Sequence, residues 1–161
     1  GADLIRNAIG SYKGARRRLD EHYNKAGKVY IDDYAHHPAE LATAISSIRN
    51  IFPGRKITGI FQPHLYTRTR DFAPEFAKSL SALDNVILLD IYPAREEPIP
   101  GVTSEIIFKD VTAPCKKLIR KQELMSVLEK EEFDVLASFG AGDIDRFIQP
   151  IKEFMETRYG K

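Results

Sequence analysis

The chain is 161 residues long, the size of one domain with a core large enough to fold by itself. Its 24 Lys and Arg against 23 Asp and Glu leave a formal net charge of +1 with the two signs interleaved, which gives no reason to expect nucleic acid as a partner. One cysteine, Cys115, excludes an intramolecular disulfide framework and suits a reducing compartment, and no apolar run approaches the roughly 20 residues of a membrane span. The N-terminus lacks a charged region followed by an apolar one, so a soluble, cytoplasmic protein is expected.

In chain order, residues 1–10 look like the tail of a helix, with Leu4, Ile5, Ala8 and Ile9 on one face. Arg16, Arg17 and Arg18 follow. Such a run is usually a solvated surface, but paired guanidinium groups also clamp phosphate oxygens. Residues 21–23 and 28–32 read as two strands around a turn at Asn24-Lys25-Ala26-Gly27. A helix is expected over 38–50, with Leu41, Ile45 and Ile48 at helical spacing and Pro53-Gly54 as its stop. The pattern continues with a strand at 56–61, a helix at 71–83 with Pro74 in its first turn, and an almost wholly apolar strand at 85–91. A short helix at 103–111, a strand at 116–120, a helix at 121–130, a strand at 133–139 and a final helix at 143–159, bent at Pro150, complete it. Cys115, beside an apolar run, is expected to be buried or half-buried. Strands alternating with helices imply an α/β fold, a doubly wound, mostly parallel sheet.

In such a sheet the loops after the strands share one edge, and here they are dense in chemistry. The first is Asp32-Asp33-Tyr34-Ala35-His36-His37-Pro38, where two carboxylates, two imidazoles and a phenol precede a helix whose N–H groups suit an anion. The second, residues 61–71, brings His64, Tyr66, Arg68 and Arg70, and arginine is the usual partner of a carboxylate or phosphate. The third, residues 90–101, contains Tyr92, Arg95, Glu96 and Glu97. The fourth is the tight turn Gly140-Ala141-Gly142, with Asp143 placed to cap the last helix. Loops at the opposite edge, 51–55 and 81–84, are bland, and this asymmetry marks a working face. No complete glycine-rich phosphate loop, dinucleotide fingerprint or nucleophile elbow is present. Adjacent His36 and His37 diverge on a regular element and no His-x-x-x-His or Cys-x-x-Cys pair exists, so no metal ligand is assigned.

Together these four segments, in this order and over nearly the whole chain, resemble the C-terminal domain of the Mur ligases. The resemblance implies a Rossmann-like sheet of about six strands, with residues 1–20 as the end of a central domain and hinge and 21–161 as the C-terminal domain. It implies an enzyme that uses ATP and Mg²⁺ to activate the carboxylate of UDP-N-acetylmuramate as an acyl phosphate, which the amino group of L-alanine attacks. Arg18, Asp33 and His37 would contact the nucleotide, His36, His64 and Arg70 would act at the reaction centre, and Tyr34, Arg68, Tyr92 and Glu97 would bind substrate. Because the family's ATP loop and UDP-sugar site lie in its other two domains, this chain would be inactive by itself. A related ligase that recycles murein tripeptide, or a non-catalytic anion-binding module, would share much of the pattern.

Overall fold

A computed structural model describes residues 17–161, so the helix tail read at 1–10 and Arg16 lie outside the described residues. β1 (Asp20–Lys25) and β2 (Lys28–Asp33) form an antiparallel hairpin. Its turn is only Ala26 and Gly27, both at positive φ (53° and 75°), which matches the twist of the flanking strands. Then follow α1 (Pro38–Ile51), β3 (Ile57–Phe61), α2 (Tyr66–Leu80), β4 (Asn85–Leu88), a four-residue α3 (Glu105–Phe108) and β5 (Cys115–Leu118). A 3₁₀ turn leads into α4 (Leu124–Leu128), then β6 (Val135–Phe139), a second 3₁₀ turn over Asp143–Phe147, and α5 (Ile148–Tyr159).

The six strands form one sheet in the order β1-β2-β6-β3-β4-β5, parallel throughout except for β1. The sheet is covered on both faces because its buried strands alternate. Val29, Ile31, Ile57, Phe61, Val135, Ala137 and Phe139 pack under α1 and α2, while Tyr30, Ile60, Ile87 and Leu136 pack against α4 and α5. The late strand β6 inserts between β2 and β3, which creates the reversal of strand order where open α/β sheets take their ligands. Register settles the rim: Asp33, Phe139 and Phe61 are successive partners, as are Phe61, Leu88 and Leu118, so the carboxyl ends of five parallel strands finish level.

Several boundaries differ from the sequence reading. α2 begins at Tyr66 rather than at residue 71, and it kinks at Phe72 (φ −123°, ψ 17°), two residues before Pro74, whose ring and missing N–H break the ladder there. Residues 66–70, read as loop, are therefore already helical. The last helix is divided before Ile148 and not at Pro150: a 3₁₀ turn covers Asp143–Phe147, and the α-helix Ile148–Tyr159 takes Pro150 into its first turn, where its missing N–H costs nothing. Asp143 does not cap it. Gly142 holds the cap position, and the Asp143 carboxylate instead accepts from Gln62 Nε2 at 2.7 Å and Lys121 Nζ at 2.5 Å. Cys115 is exposed, not buried, because β5 is an edge strand with few covering side chains.

Candidate functional site

The first rim segment leaves β2 through a turn that the second of its two carboxylates builds. Asp33 accepts from the backbone N–H of Leu19 at 2.9 Å and of Ala35 at 2.8 Å. Burial raises the pKa of its carboxyl against the pull of these donors. Asp32, fully buried, takes Arg17 Nε at 2.7 Å and Nη2 at 3.3 Å, and Ser138 Oγ donates to it at 2.6 Å. Arg17 Nη2 also donates to the Gly140 carbonyl at 2.9 Å, so one guanidinium ties the first segment to the fourth. Arg18, the arginine singled out in the sequence, is exposed instead and lines a cleft of about 440 Å³ with Asp33, Tyr34, Glu40 and Thr43.

His37 is extended and precedes Pro38 at the start of α1, and its N–H donates to Glu40 Oε1 at 3.0 Å. His36 packs between Tyr34 and His37, both at 5.0 Å between ring centroids, and stands 6.2 Å from His64 on the second segment. Tyr34 and Phe72 are the exposed large apolar side chains among the described residues, and both lie at this rim, with Phe72 edge-on to His37 at 6.3 Å. Exposed aromatic surface concentrated beside titratable groups is what a ligand site displays.

The early start of α2 decides the second segment. His64 precedes the cap residue of α2, and Arg68, in the first turn, reaches back so that its Nη1 donates to His64 Nδ1 at 3.0 Å. Partial burial, followed by the nearby Arg68 charge, lowers the pKa of both His37 and His64, which keeps both imidazoles neutral at neutral pH. Leu65 caps this helix at φ 75° and ψ 138°, a strained conformation for a branched residue, of order 1–3 kcal/mol. The third segment holds it there: Leu65 N–H donates to the Tyr92 carbonyl at 2.9 Å and Tyr92 N–H to the Pro63 carbonyl at 2.8 Å. The Tyr92 ring then stacks on His64 at 5.7 Å and 21°.

The structure thus brings together Tyr34, His36, His37, His64, Arg68 and Tyr92, with Arg18 and Asp33 at the adjoining cleft. It does not bring Arg70 or Glu97 into that cluster. Arg70 is exposed and pairs with its neighbour Asp71 at 2.9 Å, and Glu97 faces solvent. The acidic residue that engages the second segment is Glu96, which accepts from Thr67 N–H at 3.1 Å and from Thr67 Oγ1. The hydroxyl of Thr67 lowers the pKa of the Glu96 carboxyl. Sequence reasoning also missed Arg17 and Gln62. The arginine run signalled the first without saying which member turns inward, and a glutamine at the end of an apolar strand was the signal for the second. Gln62 is 2% exposed, donating to Asp143 and accepting from Ile144 N–H at 3.0 Å. Among the described residues one trio, His36, His37 and Glu40, brings metal-ligating atoms close together.

Known proteins share this sequence and architecture. The family profile described as Mur ligase, glutamate ligase domain, matches residues 17–142. A UDP-N-acetylmuramate–L-alanine ligase of Parabacteroides distasonis is 56% identical over 151 residues, covering 94% of this chain and 33% of that protein. One of the same name from Cytophaga hutchinsonii is 50% identical over 159 residues, covering 99% and 34%. This chain therefore spans about a third of the length of the curated relatives it matches. Among solved structures, a UDP-N-acetylmuramate-alanine ligase of Thermotoga maritima superposes with a TM-score of 0.70 at 21% identity, over 96% of this chain and 36% of that one. A murein peptide ligase of Psychrobacter arcticus does so at 0.67 and 16%, over 90% and 31%.

Proposed function

The chain belongs to the family of Mur ligase C-terminal, glutamate ligase domains, and from that premise we propose that it is the C-terminal domain of an ATP-dependent ligase joining L-alanine to UDP-N-acetylmuramate. The supporting observation is the meeting of His36, His64, Arg68 and Tyr92 from three post-strand segments at one level rim. We take residues 1–20 as the end of a central domain and hinge and 21–161 as the domain proper. Such a ligase would work in the cytoplasm on soluble substrates. No helix among the described residues is long and apolar enough to cross a membrane.

In this reading the cleft beside Arg18 takes the nucleotide. A guanidinium, the exposed Tyr34 ring and the N-terminus of α1 at His37 suit a phosphate-bearing ligand there. ATP supplies the phosphoryl group that activates the muramate carboxylate, with Mg²⁺ offsetting its charge. Asp32, Asp33 and Glu96 are already engaged, by Arg17, by backbone N–H groups and by Thr67, so Mg²⁺ would take its ligands mostly from other domains. Arg68, fixed against His64, holds the carboxylate of alanine, and Tyr92 walls the pocket through its stack on His64. His36 and His64 face the reacting carbon. His64, whose Nδ1 accepts from Arg68, carries its proton on Nε2 and donates to the developing oxyanion, while His36, whose Nδ1 donates to the Tyr34 carbonyl, presents Nε2 to accept a proton from the attacking amine. Arg70 and Glu97, both exposed, would join only when the remaining domains close over this rim. The isolated chain, holding half of the cleft, should not turn over.

The test is a steady-state ligation assay on a full-length ligase carrying this domain. Losing a charged hydrogen bond in Arg68→Ala should raise KM for L-alanine at least about tenfold while KM for ATP stays within about twofold. An unchanged KM for alanine would remove the assignment. Offering the murein tripeptide in the same assay separates the recycling ligase from the alanine ligase, and ligation by residues 1–161 alone would overturn the two-part cleft.

A further inference from the structure

Adjacent histidines diverge on a regular helix or strand, but the chain is regular on only one side of this pair. His37 is extended, at φ −104° and ψ 152°, immediately before Pro38 starts α1, and so the two imidazoles turn towards each other with centroids 5.0 Å apart. Glu40, in the first turn of the helix, completes the group. Its carboxylate accepts the His37 N–H at 3.0 Å and stands 3.7 Å from His36 Nδ1. One potential ligand atom from each of the three residues lies within 4.8 Å of the others, the single such trio among the described residues.

We propose that His36, His37 and Glu40 form a binding site for a late first-row divalent cation of the zinc class. Two imidazole nitrogens and one carboxylate oxygen make a borderline donor set that suits Zn²⁺, Co²⁺ or Ni²⁺ and leaves a fourth coordination position open. Around zinc, at about 2.0–2.2 Å, tetrahedral ligand atoms lie about 3.4 Å apart. The side chains that would close on it are not locked by packing, His36 being 20% exposed and Glu40 42%. The group is also oriented in advance. The His37 N–H holds one oxygen of Glu40, leaving the other for the ion, and the Tyr34 carbonyl lies 3.0 Å from His36 Nδ1. Tyr34 and Phe72 bound the site with aromatic rings. Mg²⁺ is a poor fit, because it prefers oxygen donors in an octahedron and this trio offers one carboxylate beside the positive Arg68.

Binding is independent of the ligase reading, although an ion here would occupy two of the imidazoles assigned to the cleft and compete with its substrates. Titration calorimetry of the 161-residue chain with ZnCl₂, and visible absorption with CoCl₂, test it in a Cys115→Ser background that removes the exposed thiol. The expected result is one equivalent of Zn²⁺ bound, a Co²⁺ ligand-field band and no response to MgCl₂. His36→Ala, His37→Ala and Glu40→Gln should each weaken Zn²⁺ binding at least about tenfold, while His22→Ala and His64→Ala leave it within about twofold. Circular dichroism of each variant establishes that it is folded. Failure of the Cys115→Ser chain to bind Zn²⁺, binding indifferent to His37→Ala or Glu40→Gln, or loss on His64→Ala alone would each overturn the proposal. Because no substrate is present, any of these leaves the ligase reading standing.

Discussion

Gln62→Leu tests whether the four rim segments are one interlocked unit. The leucine keeps the volume of a side chain that is 2% exposed and removes both ends of its amide. One end donates to the Asp143 carboxylate at 2.7 Å, a charge-assisted bond worth about 1.5–3 kcal/mol. The other accepts from the N–H of the fully buried Ile144, and orphaning that donor costs about 1–3 kcal/mol. Leucine recovers part of this by apolar burial, so a net loss of about 3 kcal/mol is expected, or about 6–12 °C in Tm for a chain of this size. Urea unfolding followed by far-UV circular dichroism suits a chain without tryptophan, and the midpoint should fall with the slope unchanged. The same variant should loosen the stack of Tyr92 on His64, because Gly142 packs against both Gln62 and Tyr92, and the ring-current shift of the His64 protons should shrink in NMR spectra. A loss below about 1 kcal/mol with the His64 shift intact would show that the segments are held independently, and the interlock would be wrong.

Arg17→Met leaves the buried Asp32 carboxylate without its cation and should cost about 3–5 kcal/mol in the same assay, with partial recovery on adding Asp32→Asn. No recovery in the double variant would mean that the packing of Arg17, not its charge, is what matters. Gly142→Ala places a Cβ 2.5 Å from Tyr92 Cγ and 2.6 Å from Gln62 Oε1 at an ordinary φ of −87°. Sterics alone should therefore destabilise it by about 1–3 kcal/mol, and a neutral result would show that Tyr92 moves freely. The depressed pKa values of His37 and His64 carry a definite sign. Both are neutral in the folded chain over a range where the unfolded chain binds protons, so stability is full above about pH 6.5, falls as pH drops below it, and levels off below the folded pKa values. A His37→Gln, His64→Gln double variant should flatten that decline in thermal melts from pH 7.5 to 5, and an unchanged slope would assign it to other groups.

Much of this molecule could be read from its sequence because the relevant physics is local. The unbroken buried runs of Val29 to Ile31 and Val135 to Phe139 report strands covered on both faces, and the helical spacing of Leu41, Ile45 and Ile48 reports which side of one helix is buried. The placement of polar segments after strands then follows from parallel topology, and the family resemblance rests on those same segments. What tertiary structure alone decided are choices between near neighbours. Arg17 turns inward and Arg18 outward, and Glu96 rather than Glu97 meets Thr67, in turns where Arg17 and Ala94 stand at positive φ, a feature composition does not reveal. The start of α2 at Tyr66 depends on Tyr92 bridging Pro63 and Leu65 from a strand away, and the exposure of Cys115 depends on β5 ending the sheet. The convergence of His36 on His37 requires the extended residue before Pro38, so a pair that divides on any regular element meets at this turn. Periodicity is fixed by neighbours along the chain, whereas direction at a turn is fixed by partners across it.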